Sequence, residues 1–227
     1  MSLRFTTTAV ASQNHGVKVL VYGDAGVGKT VLCSTAPSPV ILSAEAGLLS
    51  LRKFNIPVIE IRTVADLNEA HQWCMLSREA QQFQTVCLDS VSEIGETVLA
   101  DAKSRVRDPR QAYGELISSM ETVIKLYRDL PGKHVYFSAK MEPQKDELTG
   151  VVKYMPSMPG SKLGPKLPFL FDEVFRIGIN KAQSGELYRF LQTQPDMQYS
   201  AKDRSGALAF MEPPDLTSVF TKIFKGV

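Results

Sequence analysis

The run Gly23-Asp24-Ala25-Gly26-Val27-Gly28-Lys29-Thr30 carries the most specific chemistry in the chain, and it satisfies the pattern G-x-x-x-x-G-K-[ST] in full. Glycines at these positions let the backbone curl so that successive N–H groups face phosphate oxygens. A helix opening at the end of the run adds its positive N-terminal end. Lys29 then reaches the β- and γ-phosphates, and the Thr30 hydroxyl holds Mg²⁺. A match of this length also arises by chance, as a glycine-rich turn with an exposed lysine, so its neighbours decide. Here the apolar run Val17-Lys18-Val19-Leu20-Val21-Tyr22 precedes it, and a helical stretch from Thr30 to Ala36, stopped by Pro37, follows. Strand, loop and helix form the context this mechanism demands.

Two kinds of acid complete such a site. Asp89 ends the apolar run Thr85-Val86-Cys87-Leu88-Asp89. An isolated aspartate there reads as a helix N-cap; beside a phosphate loop it reads as a residue of the Mg²⁺ shell, usually through water. Hydrolysis also needs a group that orients or deprotonates water, and Glu45 and Glu93 are the two candidates. Glu45 follows the strand Val40-Ile41-Leu42-Ser43, at a carboxyl end where doubly wound sheets place ligands. Glu93 lies one turn after Asp89 and reads equally well as a solvated helix residue. Position favours Glu45, with Glu93 as the alternative.

The elements that must carry these residues alternate. Strand-like runs at 17–22, 40–43, 58–61, 85–89 and 135–138 are separated by helical spacing at Ala65 to Ala80 and Gln111 to Leu130. In the latter, Leu116, Met120, Ile124 and Tyr127 recur every three or four residues. The expected fold class is α/β: a mostly parallel central sheet with helices on both faces. From Met141 to Pro168 five prolines and three glycines interrupt the pattern, which predicts a long structureless, mobile loop. Val174 to Ile179 and Leu187 to Gln192 then read as paired strands, a C-terminal antiparallel extension. Asp215 to Phe224 reads as a closing helix. Residues 1–16 read as an N-terminal arm and 17–227 as one core domain.

Composition narrows the class. At 227 residues, 44% hydrophobic and 22% charged, the chain suits one globular domain and excludes collagen-like or disordered proteins. A formal net charge of +2 is too mild to signal a nucleic-acid partner by itself, so local clusters must. Cys33, Cys74 and Cys87 lie in apolar runs without metal or redox spacing, and read as buried thiols. The first residues lack the apolar core of a signal peptide, and no run approaches the roughly 20 apolar residues of a membrane span. A cytoplasmic protein without a membrane partner is the expectation.

The order of the phosphate loop, then Ser43-Ala44-Glu45-Ala46-Gly47-Leu48, then Cys87-Leu88-Asp89-Ser90 resembles the RecA family of ATPases. It is most similar to the short RecA-like ATPases of bacteriophages, associated with single-strand annealing and homologous recombination. Val135 to Lys140, Pro156 to Lys162 and Ala201 to Gly206 also look like that group, and the likeness covers roughly residues 17 to 215. It implies a RecA-like P-loop NTPase core that uses ATP and Mg²⁺, with Glu45 in the place of the family's catalytic glutamate and Asp89 in that of its magnesium aspartate. Lys140 would stand at the γ-phosphate sensor position, where the family has a glutamine. Lys202 and Arg204 would reach a neighbour's γ-phosphate, so the resemblance implies a homo-oligomer, ring or filament, with ATP at the interface. An ordinary charged turn is the other reading of that pair.

Two segments correspond to the family's loops for single-stranded DNA, Lys103 to Tyr113 and Lys145 to Lys166. Arg105, Arg107 and Arg110 cluster with Tyr113, and Lys145, Lys153, Lys162 and Lys166 accompany Tyr154, offering phosphate contacts and stacking rings. Asp101, Asp108, Asp146 and Glu147 dilute both clusters, which leaves a solvated charged surface as the alternative. Phe5 to Ala9 is one residue longer than the Phe-x-x-Ala tether of related recombinases and would dock as a strand on a neighbour. The leading expectation is a DNA-stimulated ATPase supporting annealing or recombination, with a single-strand-binding protein as a further implied partner. A P-loop nucleotide or small-molecule kinase and a non-hydrolysing ATP-dependent clamp are the alternatives; the kinase reading lacks an arginine-rich lid.

Overall fold

The computed structural model describes residues 5–8, 10, 15–45 and 47–225. Much of the expected N-terminal arm, Ala9 of the tether included, lies outside the described residues, as does Ala46. The strands are β1 (Lys18–Gly23), β2 (Pro39–Ser43), β3 (Val58–Glu60), β4 (Thr85–Asp89), β5 (His134–Lys145), β6 (Val152–Pro156), β7 (Glu173–Lys181), β8 (Leu187–Gln192), β9 (Lys202–Asp203) and β10 (Met211–Glu212). Their order across the sheet is β10-β8-β7-β1-β5-β4-β2-β3, with β6 paired to β5 and β9 to β7. From β7 to β3 every pairing on this path is parallel. The pairs β7–β8, β8–β10, β7–β9 and β5–β6 are antiparallel. This is the expected α/β class, a mostly parallel central sheet with the antiparallel extension included.

All six residues of β1 are buried, as a parallel strand covered on both faces requires. Its pleat divides them. Val19 and Val21 join one core, with α1 (Lys29–Leu32) and the closing helix Leu216–Lys225. Leu20 and Tyr22 join the opposite core, beneath α2 (Val64–Leu76), α3 (Val91–Arg105) and α4 (Pro109–Arg128). Helix starts are set locally. Thr63 and Asp66 form a reciprocal capping box, and Asp108 caps α4 ahead of Pro109 at its first position. The described helices include none long and apolar enough to cross a membrane. All three cysteines are free and buried.

The segment Met141 to Pro168 differs from the expected structureless loop. β5 continues past the sheet to Lys145 and returns as β6, with Met141 opposite Pro156 and Lys145 opposite Val152. Gly164–Lys166 and Leu167–Leu170 add helical turns. Pro143 and Pro156 sit in this two-stranded ribbon outside the main sheet, where the missing N–H is tolerated.

At the sheet end away from the phosphate loop, two buried lysines are satisfied by backbone carbonyls. Lys18 Nζ donates to the carbonyls of Leu130 and Lys133 at 3.0 and 2.7 Å; burial pulls its pKa down to about 8. Lys133 Nζ donates to the Ala80 and Phe83 carbonyls. Glu173, at the start of β7, is also buried; its Oε1 accepts the Ser205 N–H at 3.3 Å and its Oε2 has no partner. Burial, reinforced by the neighbouring Asp203 charge, pushes its carboxyl up to about 8.

Candidate functional site

The carboxyl ends of β1, β2 and β5 converge on one cavity of about 490 Å³. Gly23, Asp24, Ala25, Gly26, Gly28, Lys29 and Thr30 line it with Glu45 and Lys140. Val27, the remaining residue of the run, turns its side chain into the core beside Leu32 and Ile177. Two glycines are dictated by geometry. A Cβ on Gly23 would lie 2.7 Å from the Ile177 carbonyl oxygen of β7. Gly28 holds φ 110°, in the left-handed region that side chains disfavour.

Lys29 Nζ donates to the Gly23 and Asp24 carbonyls at 2.8 and 2.7 Å, across the base of its own loop. Burial lowers its pKa, against the opposing charges of Glu45, Asp89 and Asp24. Thr30 Oγ1 donates to Asp89 Oδ2 at 2.6 Å. Asp89 is 2% exposed and its Oδ1 accepts the Ser138 hydroxyl of β5. The first turn of α1 and the end of β4 are thereby joined through a hydroxyl and a carboxylate. These are hard oxygen donors suited to Mg²⁺, whose remaining positions are filled by phosphate and water in such sites. Among the described residues no group of three or more His, Cys, Asp or Glu is placed to cage a metal alone.

Glu45 is positioned by the β2–β4 pairing, with the Ala44 N–H donating to the Asp89 carbonyl at 2.9 Å. Ser90 Oγ donates to Glu45 Oε1 at 2.6 Å, holding the half-buried carboxylate at the cavity wall. Glu93, the other acid, pairs with Lys140 Nζ and does not line the cavity. That hydrogen bond and charge raise the Lys140 pKa, while the Lys140 backbone N–H donates to Ser92 Oγ at 2.9 Å. Lys140 thus stands between the phosphate loop and α3.

Lys202 and Arg204 lie elsewhere. Lys202 is opposite Val174, and Val174 is opposite Leu20, three residues before Gly23, so the pair starts roughly 10 Å down the sheet from the loop at about 3.3 Å per residue. Lys202 Nζ donates to the carbonyls of Pro168 and Phe171, and Arg204 pairs with Asp172 at 2.8 Å. Neither approaches the phosphate loop of its own chain.

The basic clusters divide. Arg110, Tyr113 and Lys162 line one cleft of about 510 Å³ between α4 and the turn at Pro159 to Ser161. The Tyr113 ring leans on Gly160, where a Cβ would meet it at 3.1 Å, and Lys103 Nζ sits 5.5 Å from its centroid. Two segments far apart in the chain therefore meet there. Arg105 is engaged by Asp101 and Glu115, and Lys166 by Glu121, while Arg107 is exposed nearby. Lys145 and Lys153 lie on the β5–β6 ribbon. Tyr154 stacks on Tyr199 with centroids 5.3 Å apart, and the Arg176 guanidinium lies 3.8 Å over Tyr199, so that ring is already packed.

The sequence assigns no role to Ser90, Ser138 or Arg189, although Ser90 stands in the Asp-Ser strand end. Ser90 and Ser138 follow or neighbour strand ends, where a hydroxyl beside an acid is the available signal. Arg189 carries none, because only the sheet brings it to Val27.

A family model described as an AAA domain matches residues 15–205. No curated protein matches the sequence. Among solved structures the chain is similar to the KaiC-like protein PH0186 of Pyrococcus horikoshii OT3, at 15% identity and a TM-score of 0.44, covering 78% of this chain and 77% of that one. It is also similar to the flagellar accessory protein FlaH of Methanocaldococcus jannaschii, at 11% identity and a TM-score of 0.43, covering 87% of each.

Proposed function

This chain belongs to the AAA domain family, and from that premise we propose that it hydrolyses ATP on Gly23 to Thr30 with Mg²⁺ and couples turnover to single-stranded DNA. The observation that carries the hydrolytic part is the 2.6 Å contact from Thr30 Oγ1, in the cavity wall shared with Glu45, to Asp89 Oδ2 buried behind it. Thr30 and Asp89 are the residues that would hold Mg²⁺. When bound, that ion supplies charge neutralisation at the phosphate oxygens. Lys29 contributes its cation to the same oxygens once it leaves the loop carbonyls. Glu45, oriented by Ser90, orients water and accepts its proton. Lys140, at the same cavity, senses the γ-phosphate and exchanges Glu93 for it.

The cleft of Arg110, Tyr113 and Lys162 supports the DNA part: two cations flank an aromatic ring able to stack a base. Assembly would bring Lys202 or Arg204 of one copy to the nucleotide of the next, a cation of arginine-finger type. In this reading the protein serves phage recombination or strand annealing. Single-stranded DNA is expected to raise ATP turnover in a steady-state assay, and equal rates with and without DNA would remove the coupling. Replacing Arg110 and Lys162 together by alanine should reduce the slope of log affinity against log salt by about 1–2. An unchanged slope would place DNA elsewhere.

A further inference from the structure

We propose that Arg189 is a positioning residue of the nucleotide site, which sets the aim of the Gly28 N–H by holding the Val27 carbonyl. The pleat of β8 directs this side chain. Arg189 and Leu191 share a face, and Leu191 is buried with Val27, Leu32 and Ile177 beneath α1. Arg189 extends that row beyond the core to the outer side of the phosphate loop. There its Nε donates to the Val27 carbonyl at 2.8 Å. A Cβ on Gly28 would meet that same nitrogen at 3.3 Å.

The peptide joining Val27 to Gly28 is planar and trans, so its C=O and N–H point in opposite directions. Gly28 lines the nucleotide cavity, whereas Val27 and Arg189 do not. A carbonyl fastened toward Arg189 therefore turns the Gly28 N–H toward the cavity, where phosphate oxygens would accept from it. Without the guanidinium this peptide is free to rotate, and Gly28, a glycine, opposes rotation least. The cation also adds positive potential beside the loop. A lysine does not reproduce the contact, because its methylene Cε stands where Arg189 carries the donating Nε and its ammonium lies one atom further along the chain. The ligand class is a nucleoside di- or triphosphate, so the inference rests on the nucleotide reading of the loop.

The test uses the full chain with Arg189→Ala, Arg189→Met and Arg189→Lys, Met preserving the apolar stem. ATP and ADP affinities are expected to weaken about tenfold in all three, the scale of one charge-assisted hydrogen bond, with kcat at saturating ATP within about twofold. Amide exchange at Val27 to Thr30, measured without nucleotide, should quicken while the thermal midpoint holds. Met or Lys variants with wild-type affinity and wild-type exchange would overturn the proposal, as would a loss confined to kcat. A wild-type chain that binds neither nucleotide would overturn the underlying reading instead, and the exchange measurement would still judge Arg189 by itself.

Discussion

Glu45→Gln is expected to lower the turnover number for ATP by about 10²–10⁴-fold, the usual scale for loss of a general base, while ATP affinity stays within a few-fold of wild type. The substitution keeps the side chain's size, and the amide oxygen still accepts the Ser90 hydroxyl now bonded to Glu45 Oε1. What disappears is the capacity to take a proton from water. Glu93→Gln is the paired measurement, because it removes the partner of Lys140 without touching the cavity wall. Its effect on turnover should stay below about tenfold, as for a group that acts through another residue. The reverse ranking, with Glu93→Gln nearly inactive and Glu45→Gln active, would move the base to α3. Single-turnover hydrolysis beside equilibrium nucleotide binding separates the two outcomes.

The second large effect concerns stability. Burial beside Asp203 raises the Glu173 pKa from 4.5 to about 8. Between those values the folded chain holds a proton that the unfolded chain has lost. The stabilisation tied to this proton is complete below about 4.5 and is lost as pH rises through about 8. With each tenfold change in proton affinity worth about 1.36 kcal/mol, the loss amounts to roughly 3–5 kcal/mol. Glu173→Gln offers the same shape with a permanent donor toward Asp203. It should be nearly as stable as wild type at pH 5 and more stable at pH 9, when unfolding is followed by denaturant at both values. Parallel losses in wild type and variant would show that other groups govern the alkaline side.

The sequence resolves the site better than it resolves the chain between its parts. Gly23 to Thr30, Asp89 and Glu45 are legible because each sits at the end of an apolar run, where strand geometry leaves few choices of direction. The cavity gathers the loop and Glu45, and Thr30 ties Asp89 to it from behind. Helix α3 escapes the pattern, although Val91, Ile94, Val98 and Ala102 bury one face of it. Its Ser, Gly, Glu and Thr content masks that stripe, even with Ser90 capping the Glu93 N–H. The ribbon β5–β6 is hidden for a different reason. Its prolines normally exclude strands, but a two-stranded ribbon outside the sheet does not need their missing N–H groups. Arg189 is invisible because its partner lies 162 residues away along the chain. No local pattern encodes such a contact.

The place of β1 in the sheet has a consequence for synthesis. The strand that carries the phosphate loop is the first of the ten described strands to be made, yet its neighbours are β5 and β7. On the ribosome, Val19 waits for Glu173, roughly 150 residues later, or about 10–30 s at ordinary elongation rates. Gly23 gains its wall at Ile177 only after that strand emerges. Nucleotide capture by a growing chain would therefore report the arrival of β7, and truncated products ending before it would carry the loop's sequence without the Ile177 wall.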